Sequence, residues 1–255
     1  MKVMILAGGR GTRLAEETSL IPKPMVEVGG YPILWHIMRH YAHHGFREFV
    51  LTLGYKSHVI KHFIVNYRTM NRSLSVDLGA GSTIVHDDEV VVDWQVDCIE
   101  TGLDTATGGR VRRALPFTGG QPFMLTYGDG VSDIDLGRLL EFHRGHGKLA
   151  TVTIVRPVSL FGYMKLDGAR VTEFLEKRQQ LDDWISGGFF VCEPGIAEYL
   201  KDDAEPWERG PLERLAAAGE LMAYSHEGFW QCMDSLRDKQ LLEQLWHDGK
   251  APWWN

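Results

Sequence analysis

The sequence is poor in the features that mark secreted and membrane proteins. It has three cysteines among 255 residues, and Cys98, Cys192 and Cys232 lie far apart. Because they form no metal-ligand pair and no disulfide framework, a reducing, cytoplasmic compartment is expected. No apolar run approaches the roughly 20 residues that span a bilayer. The apolar start, residues 1–7, ends at Gly8 and is too short for the core of a signal peptide.

Positive charge is also scarce. The chain has 27 Lys and Arg against 34 Asp and Glu, a formal net charge of −7, whereas a nucleic-acid-binding protein needs a basic face. We therefore expect no nucleic-acid partner and no membrane partner, and any phosphate group must bind in a local cationic pocket. Hydrophobic residues make up 44% and charged residues 24%, which is typical of an ordinary globular protein.

A glycine-rich loop near the start of the chain is the most informative feature. An apolar strand predicted over residues 3–6 leads into LAGGRGTRL at 6–14, and PKPM follows at 22–25. Glycines at a strand-to-helix turn let backbone N–H groups approach a ligand, and a helix N-terminus favours anions. Arg13 and Lys23 add full positive charges for phosphate oxygens. We predict that a multiply phosphorylated ligand binds here.

The loop differs from two common phosphate-binding motifs. A P-loop needs Gly-Lys followed by Ser or Thr, whereas residues 11–13 read Gly-Thr-Arg. A dinucleotide fingerprint counted from Gly9 needs a third glycine where Leu14 stands, which disfavours a nicotinamide-dependent oxidoreductase. A plain glycine turn is the alternative, but proline on both sides of Lys23 stiffens its backbone. That is an unusual way to present a merely solvated cation.

Strand-like and helix-like segments alternate along the chain. This alternation predicts an α/β fold with a doubly wound, mixed but mainly parallel sheet and ligands at the carboxyl ends of its strands. Residues 68–97 break the pattern and are interpreted as a loop plus antiparallel strands, suited to subunit contact. The predicted strands are 3–6, 48–53, 123–126 and 150–155, and the predicted helices are 33–44, 57–67, 134–146 and 236–246.

Four histidines, His36, His40, His43 and His44, lie on the helix predicted over 33–44. Histidines at i and i+4 can bind zinc, but no carboxylate joins them, so we expect a partly solvated helix face. The Trp253-Trp254 pair near the end of the chain is expected to be an exposed pair without a special role.

Motifs in order along the chain resemble one enzyme family. The glycine loop with PKPM resembles the sugar-1-phosphate nucleotidylyltransferases, also called sugar-nucleotide pyrophosphorylases. Further blocks are similar to the members that transfer a cytidylyl group to glucose 1-phosphate. These blocks are PILWHIM at 32–38, TGGR at 107–110, YGDG at 127–130, GGFF at 187–190 and FWQxMD at 229–234. The ordered set covers nearly the whole chain.

The resemblance implies a Rossmann-like nucleotide-diphospho-sugar transferase fold with a smaller β-rich sugar-binding lobe. No repeat or low-complexity linker divides the chain, so we expect one domain over residues 1–255. Its nucleotide-binding lobe would be 1–130, its sugar-binding lobe 131–235, and 236–255 a terminal helix and tail. Residues 163–190, with short strands and turns, would form the lid over the sugar. A homo-oligomer is expected.

The implied reaction transfers a cytidylyl group from CTP to a sugar 1-phosphate, most closely α-D-glucose 1-phosphate, and releases pyrophosphate. A phosphate monoester has a second pKa near ~6, so it is already an anionic nucleophile at neutral pH. No general base is required. Catalysis then consists of positioning and charge neutralisation by cations and a metal, with Arg13 and Lys23 as the catalytic cations.

The resemblance also implies the site residues. Asp129 and Asp234 correspond to the family's metal-binding aspartates, whose hard oxygens suit Mg²⁺. The alternatives are a turn-forming Asp129 before glycine and a helix-capping Asp234. The nucleotide would contact Leu6, Ala7, Gly8, Gly9, Gly11, Thr12, Arg13, Lys23, Thr105, Arg110 and Gly128, with Arg110 presented by a glycine turn. The sugar phosphate would contact Gly162, Glu176, Lys177, Ser186 and Gly187.

Two positions depart from the cytidylyltransferase pattern. Ser186 stands in place of Asn, and Arg178 in place of Pro. At the sugar-facing position 186 one hydroxyl therefore replaces an amide with donors and an acceptor. Another hexose or a heptose 1-phosphate stays open, as do UTP and dTTP. A non-catalytic sugar-nucleotide-binding subunit is the alternative from another class, disfavoured because the full set of cations and aspartates is present.

Overall fold

The computed structural model describes residues 1–86, 92–156, 163–175 and 184–254. Within these ranges no helix combines the length and the apolar character needed to cross a bilayer. The strands are β1 Lys2–Leu6, β2 Glu27–Val28, β3 Tyr31–Pro32, β4 Glu48–Leu53, β5 Ser73–Asp77, β6 Ser82–His86, β7 Gln95–Glu100, β8 Phe123–Tyr127, β9 Gly130–Ser132, β10 Ala150–Val155, β11 Tyr163–Asp167, β12 Arg170–Leu175, β13 Ile185–Cys192, β14 Leu221–His226 and β15 Trp230–Cys232. The α-helices are α1 Ala15–Thr18, α2 Ile33–His43, α3 Ser57–Val65, α4 Tyr67–Met70, α5 Thr107–Ala114, α6 Leu136–His146, α7 Pro211–Ala217 and α8 Leu236–His247.

A seven-stranded sheet in the order β14-β10-β13-β8-β1-β4-β7 forms the centre of the described part. Its pairs are parallel except those of β13, which runs antiparallel to both neighbours. The prediction of a mixed, mainly parallel sheet is confirmed. The sheet takes strands from both predicted lobes, and the division into lobes stays a prediction.

Both faces of the sheet are covered, which explains why its central strands are almost continuously apolar. In β1, Val3 and Ile5 point into one core cluster with side chains of α2, α6 and α8. Met4 and Leu6, on the opposite face, join side chains of α5 and α7 in a second cluster. This alternation follows from the two-residue period of a strand. Because both faces of β1 are buried, a ligand can approach this strand only at its ends.

The predicted helices differ from the observed ones mainly at their ends. The helix predicted over 134–146 begins at Leu136, because the Asp135 side chain accepts a hydrogen bond from the Arg138 N–H and caps it. The helix predicted over 57–67 ends at Val65 and is followed by the separate short helix α4.

Two predictions of β structure were partly wrong. Residues 68–97 do contain an antiparallel hairpin, β5–β6, but Gln95 already begins β7, which pairs in parallel with β4 at the sheet edge. Residues 163–190 contain the hairpin β11–β12, but β13 is a central strand of the main sheet and not part of a lid. Gly187 and Gly188 resemble a turn in sequence, but both lie within β13. The register of β13 against β10 is irregular at this point, and Gly188 packs closely on the Tyr127 ring.

The tryptophans near the end of the chain pack against α2. Trp253 is buried, and its indole N–H donates to His36 Nδ1 at 3.3 Å. The Arg39 guanidinium lies 3.5 Å from the centre of the Trp254 ring. The prediction of an exposed tryptophan pair is therefore wrong. The prediction of a partly solvated histidine face is wrong for His36 and His40, which are both buried.

Candidate active site

A cavity of about 630 Å³ opens at the carboxyl ends of β1 and β8, where a doubly wound sheet places its ligands. The wall of this cavity contains most of the residues predicted to bind the nucleotide and one of the predicted metal ligands. These residues are Leu6, Ala7, Gly8, Gly9, Gly11, Thr12, Lys23, Thr105, Arg110, Gly128 and Asp129. Arg13 lies in the 3-10 segment Thr12–Leu14, and its side chain is outside the described part.

Close packing explains the glycines of the loop. A Cβ at Gly8 would lie 2.2 Å from Arg110 Nη1, and one at Gly11, where φ is +63°, would lie 2.9 Å from Lys23 Cβ. A Cβ at Gly128 would lie 2.9 Å from the Leu6 carbonyl oxygen. By contrast, the space around Gly9 is open. The loop therefore packs tightly against its supports and leaves its backbone accessible at Gly9.

Lys23 joins the two predicted metal ligands. Its ammonium group donates to Asp129 Oδ2 at 2.6 Å and to Asp234 Oδ1 at 2.5 Å. The Lys23 side chain is buried, while each aspartate side chain is about a quarter exposed, at 26% and 27%. Burial lowers the pKa of Lys23, but the two carboxylates outweigh burial, and the net pKa is raised. Lys23 therefore stays charged.

Strand pairing brings the two aspartates together across the sequence. Asp129 lies between β8 and β9, and β9 pairs antiparallel with β15, which ends two residues before Asp234. The Met233 N–H also donates to the Asp129 carbonyl at 2.8 Å. The cap of α8 is Ser235, whose hydroxyl accepts from the Asp238 N–H. The interpretation of Asp234 as the helix cap is therefore wrong.

Arg110 lines the cavity. The sequence suggested that it lies on a glycine turn, and this prediction is wrong. Arg110 lies in α5, which packs closely against the backbone of Asp203. A Cβ at Gly109 would lie 2.5 Å from the Asp203 carbonyl oxygen, so only glycine fits there. The buried guanidinium donates through Nη1 to the Leu53 carbonyl at 3.1 Å and to Thr101 Oγ1 at 2.7 Å. Burial lowers its pKa. Its visible role is to fix the cavity wall.

The predicted sugar-phosphate residues are only partly visible. Ser186 and Gly187 lie in β13, and the Gly187 carbonyl accepts from the Trp230 indole N–H at 2.7 Å. Gly162, Glu176 and Lys177 lie outside the described residues.

Comparison with known proteins identifies the family. Residues 2–248 match the model of the nucleotidyl transferase family. The chain belongs to this family. It is 46% identical over 254 residues to the glucose-1-phosphate cytidylyltransferases of Salmonella typhi and Salmonella typhimurium, covering 99% of this chain and 98% of each of theirs. A UDP-glucose pyrophosphorylase solved with UDP-glucose has the same fold, with a TM-score of 0.70, 16% identity and coverage of 97% and 98% of the two chains.

These similarities confirm the family resemblance and the Rossmann-like fold of this nucleotidyltransferase. Members of the family generally depend on a divalent metal. Asp129, in the cavity wall, and Asp234, which lies behind Lys23, fit such an ion, because the two carboxylates converge on a single cationic centre, the Lys23 ammonium. Two carboxylates beside substrate phosphates are the ligands that a hard divalent cation uses.

Three polar residues of the nucleotidyltransferase cavity were missed from the sequence. Glu208 accepts from the Tyr127 hydroxyl at 2.5 Å and from Thr107 Oγ1 at 2.8 Å. Arg10, on the glycine loop, donates to Asp104 at 2.8 Å, and both line the cavity. Glu208 belongs to no motif and reaches Tyr127 across 81 residues of sequence, so no local signal could have found it.

Proposed function

We propose that this nucleotidyltransferase transfers the cytidylyl group of CTP to α-D-glucose 1-phosphate and releases pyrophosphate. The observation that carries the proposal is the convergence of Lys23, Asp129 and Asp234 beside the glycine loop. It occurs in a chain 46% identical, over nearly its whole length, to a glucose-1-phosphate cytidylyltransferase. We also propose a cytoplasmic location, in keeping with the scarcity of cysteine.

The residues of the chain position the reactants and neutralise their charge. The loop at Gly8 and Gly9 presents backbone N–H groups to the base and phosphates, and Arg13 and Lys23 neutralise the α-phosphate as the sugar phosphate oxygen attacks it in line. The attacking phosphate is already an anion at neutral pH, so no residue has to remove a proton. Asp129, whose carboxylate contacts Lys23, has a different role, as a ligand of the metal ion.

We propose Mg²⁺ as the metal, held by Asp129 and Asp234. When bound, the ion stabilises the negative charge that moves onto the pyrophosphate leaving group. Because Lys23 now occupies the point between both carboxylates, metal binding requires its ammonium to move away from at least one of them. The triphosphate offers it an alternative anion.

The choice of glucose 1-phosphate among sugar 1-phosphates is a separate part of the proposal, and it depends on position 186. Ser186, an exposed residue of β13, stands where the cytidylyltransferase pattern has Asn. A serine hydroxyl has one donor and an oxygen that also accepts, whereas an asparagine amide has two donors and a separate carbonyl acceptor. Glucose 1-phosphate is supported by the similarity over the whole chain, and another hexose or a heptose 1-phosphate is the second candidate.

The test measures pyrophosphate release. Purified protein is incubated with Mg²⁺, each of CTP, UTP, dTTP, ATP and GTP, and a panel of sugar 1-phosphates. We expect the highest kcat/KM with CTP and glucose 1-phosphate. Release with a different pair would correct the substrate. Binding of a sugar nucleotide without release from any pair would favour the non-catalytic subunit instead.

We also propose that the protein is a homo-oligomer that uses the hairpin β5–β6. The hairpin exposes Leu74 and Val76 on one face, and Leu78 in its turn is 91% exposed. Exposed apolar side chains that cluster mark interaction surfaces. Light scattering should give a multiple of the 28.9 kDa chain mass, and Leu78→Glu should reduce it. A monomeric parent protein would contradict the proposal.

A further inference from the structure

Arg10 lies on the glycine loop between two of the predicted nucleotide ligands, yet the sequence motif assigns it no role. It lines the cavity together with Asp104, which belongs to the loop that follows β7. Arg10 Nη2 donates to Asp104 Oδ1 at 2.8 Å. The two side chains are 54% and 84% exposed. The pair thus links the glycine loop to another loop of the cavity wall at a solvent-accessible position.

The Arg10–Asp104 pair is too exposed to be an important structural clamp. Ion pairs in water contribute only about 0–1 kcal/mol, because solvent screens the charges and two flexible side chains must be ordered. The contact uses one N–H of the guanidinium. The remaining N–H groups of Arg10 have no hydrogen-bond acceptor within the described part of the chain.

The other described cations on the cavity wall are more firmly engaged. Lys23 is buried and bound to two carboxylates. Arg110 is buried and donates to carbonyl groups and a hydroxyl of the wall. Moving either of them costs several hydrogen bonds in a buried environment, whereas Arg10 can exchange its single exposed partner at little cost.

We propose that Arg10 binds the terminal phosphates of the nucleoside triphosphate and the pyrophosphate product, and that Asp104 is its counterion before the ligand arrives. This inference rests on the proposed function. Lys23 and the two aspartates mark the buried reaction centre, so the more exposed Arg10 faces the outer phosphates. The planar guanidinium suits bidentate contact with phosphate oxygens.

Asp104 gives the proposal a second, opposite consequence. Its carboxylate repels a triphosphate that enters the cavity, and this repulsion remains after Arg10 has moved to the ligand. Removing the charge of Asp104 should therefore strengthen triphosphate binding, whereas removing that of Arg10 should weaken it. A purely structural ion pair predicts the same direction for both changes, because either one breaks the contact.

The test measures the Kd of CTP, pyrophosphate and CMP by calorimetry without sugar phosphate. Arg10→Gln should weaken CTP and pyrophosphate about tenfold, the loss expected for one charge-assisted contact, and leave CMP unchanged. Asp104→Asn should tighten CTP binding by roughly two- to fivefold through reduced repulsion. Arg47→Gln is the matched control, because Arg47 forms a similarly exposed pair with Asp93, at 51% and 72% exposure, outside the cavity.

The outcomes separate this inference from the proposed function. If the parent protein binds CTP and Arg10→Gln binds it equally well, the role of Arg10 is wrong and the proposed function stands. Equal weakening by Arg10→Gln and Asp104→Asn, or equal loss of CMP and CTP affinity, would also overturn it in favour of a structural pair. A parent protein that binds neither CTP nor pyrophosphate would overturn both proposals.

Discussion

The cavity and the helix α2 bury basic side chains to a similar degree, yet their charges differ. Lys23 is 7% exposed, and His36 and His40 are 1% and 6% exposed. In the cavity, two carboxylates overcome the effect of burial and raise the pKa of Lys23. In α2, burial lowers the pKa of His36 to about 4 and that of His40 to about 3. Lys23 is therefore charged at neutral pH, and the two histidines are neutral.

The partners of each side chain explain the difference. His36 Nε2 lies 2.8 Å from the Val28 carbonyl oxygen, and His40 Nε2 lies 3.0 Å from that of Ile134. A carbonyl oxygen accepts a hydrogen bond from the N–H of a neutral imidazole, but it does not compensate for a full charge removed from water. The carboxylates beside Lys23 do compensate. Burial alone thus does not decide charge, and the cavity retains its cation for anionic ligands.

The largest effect is expected from Asp129→Asn, which removes one of the two carboxylates that contact Lys23 in the cavity. Turnover should fall by a factor on the order of a thousand or more, because the metal loses a ligand and the leaving group loses its charge stabilisation. Nucleotide binding, measured by calorimetry, should weaken only modestly. Asp248→Asn, at the exposed C-terminal end of α8, is the control. A variant as active as the parent protein would remove Asp129 from the metal site.

The next effect concerns Lys23→Met, which removes the buried cation that distinguishes the cavity from the histidine region of α2. Asp129 and Asp234 would then lose the ammonium group that both of them contact, so the free energy of unfolding should fall by about 3 kcal/mol. Added Mg²⁺ should raise the thermal stability of this variant more than that of the parent protein, because the ion replaces the missing cation. Lys239→Met, which breaks a partly buried pair with Glu17, controls for loss of a lysine. If Mg²⁺ raises the thermal stability of Lys23→Met and of the parent protein equally, the ion does not bind at the position that the Lys23 ammonium occupies.

The same comparison shows how far the sequence could predict the protein. The apolar strands and the glycine loop are local patterns, and they correctly placed the sheet and the cavity at its carboxyl edge. The meeting of Asp129 with Asp234 was implied by family motifs, because no local pattern relates residues 105 positions apart. The neutral histidines were missed for the same reason, since the tryptophans that cover His36 come from the other end of the chain.

Arg110 illustrates the limit at the level of one residue. Its TGGR motif suggested a glycine turn that presents the cation to the ligand, but the glycines serve close helix packing and the guanidinium donates to carbonyl groups of the cavity wall. Only the family resemblance implied that Arg110 lies in the nucleotide pocket, and the sequence could not show its acceptors. These come from Leu53 and from the loop at residues 101–103.

A smaller effect is expected from glycine changes that test the packing of the cavity wall. Gly8→Ala places a methyl group on the Arg110 guanidinium, which must shift and lose hydrogen bonds, so we expect a loss of about 2 kcal/mol in unfolding free energy. Gly9→Ala meets open space and should change stability by less than about 0.5 kcal/mol. Denaturant unfolding measures both. Equal losses in the two variants would mean that Arg110 is not held in place beside Gly8.

The smallest effect is the pH dependence contributed by the neutral histidines. An unfolded histidine has a pKa near ~6.5, above the native values of about 4 for His36 and about 3 for His40. Between these values the unfolded state binds more protons, so stability falls as the pH drops from about 6.5 toward about 4. Each histidine should contribute a slope of about 1 kcal/mol per pH unit. His40→Gln should remove one such contribution from urea unfolding measured between about pH 6 and pH 5, with His58→Gln on the exposed face of α3 as the control. If the slope does not change, His40 is protonated in the native state, and the contrast with Lys23 is lost.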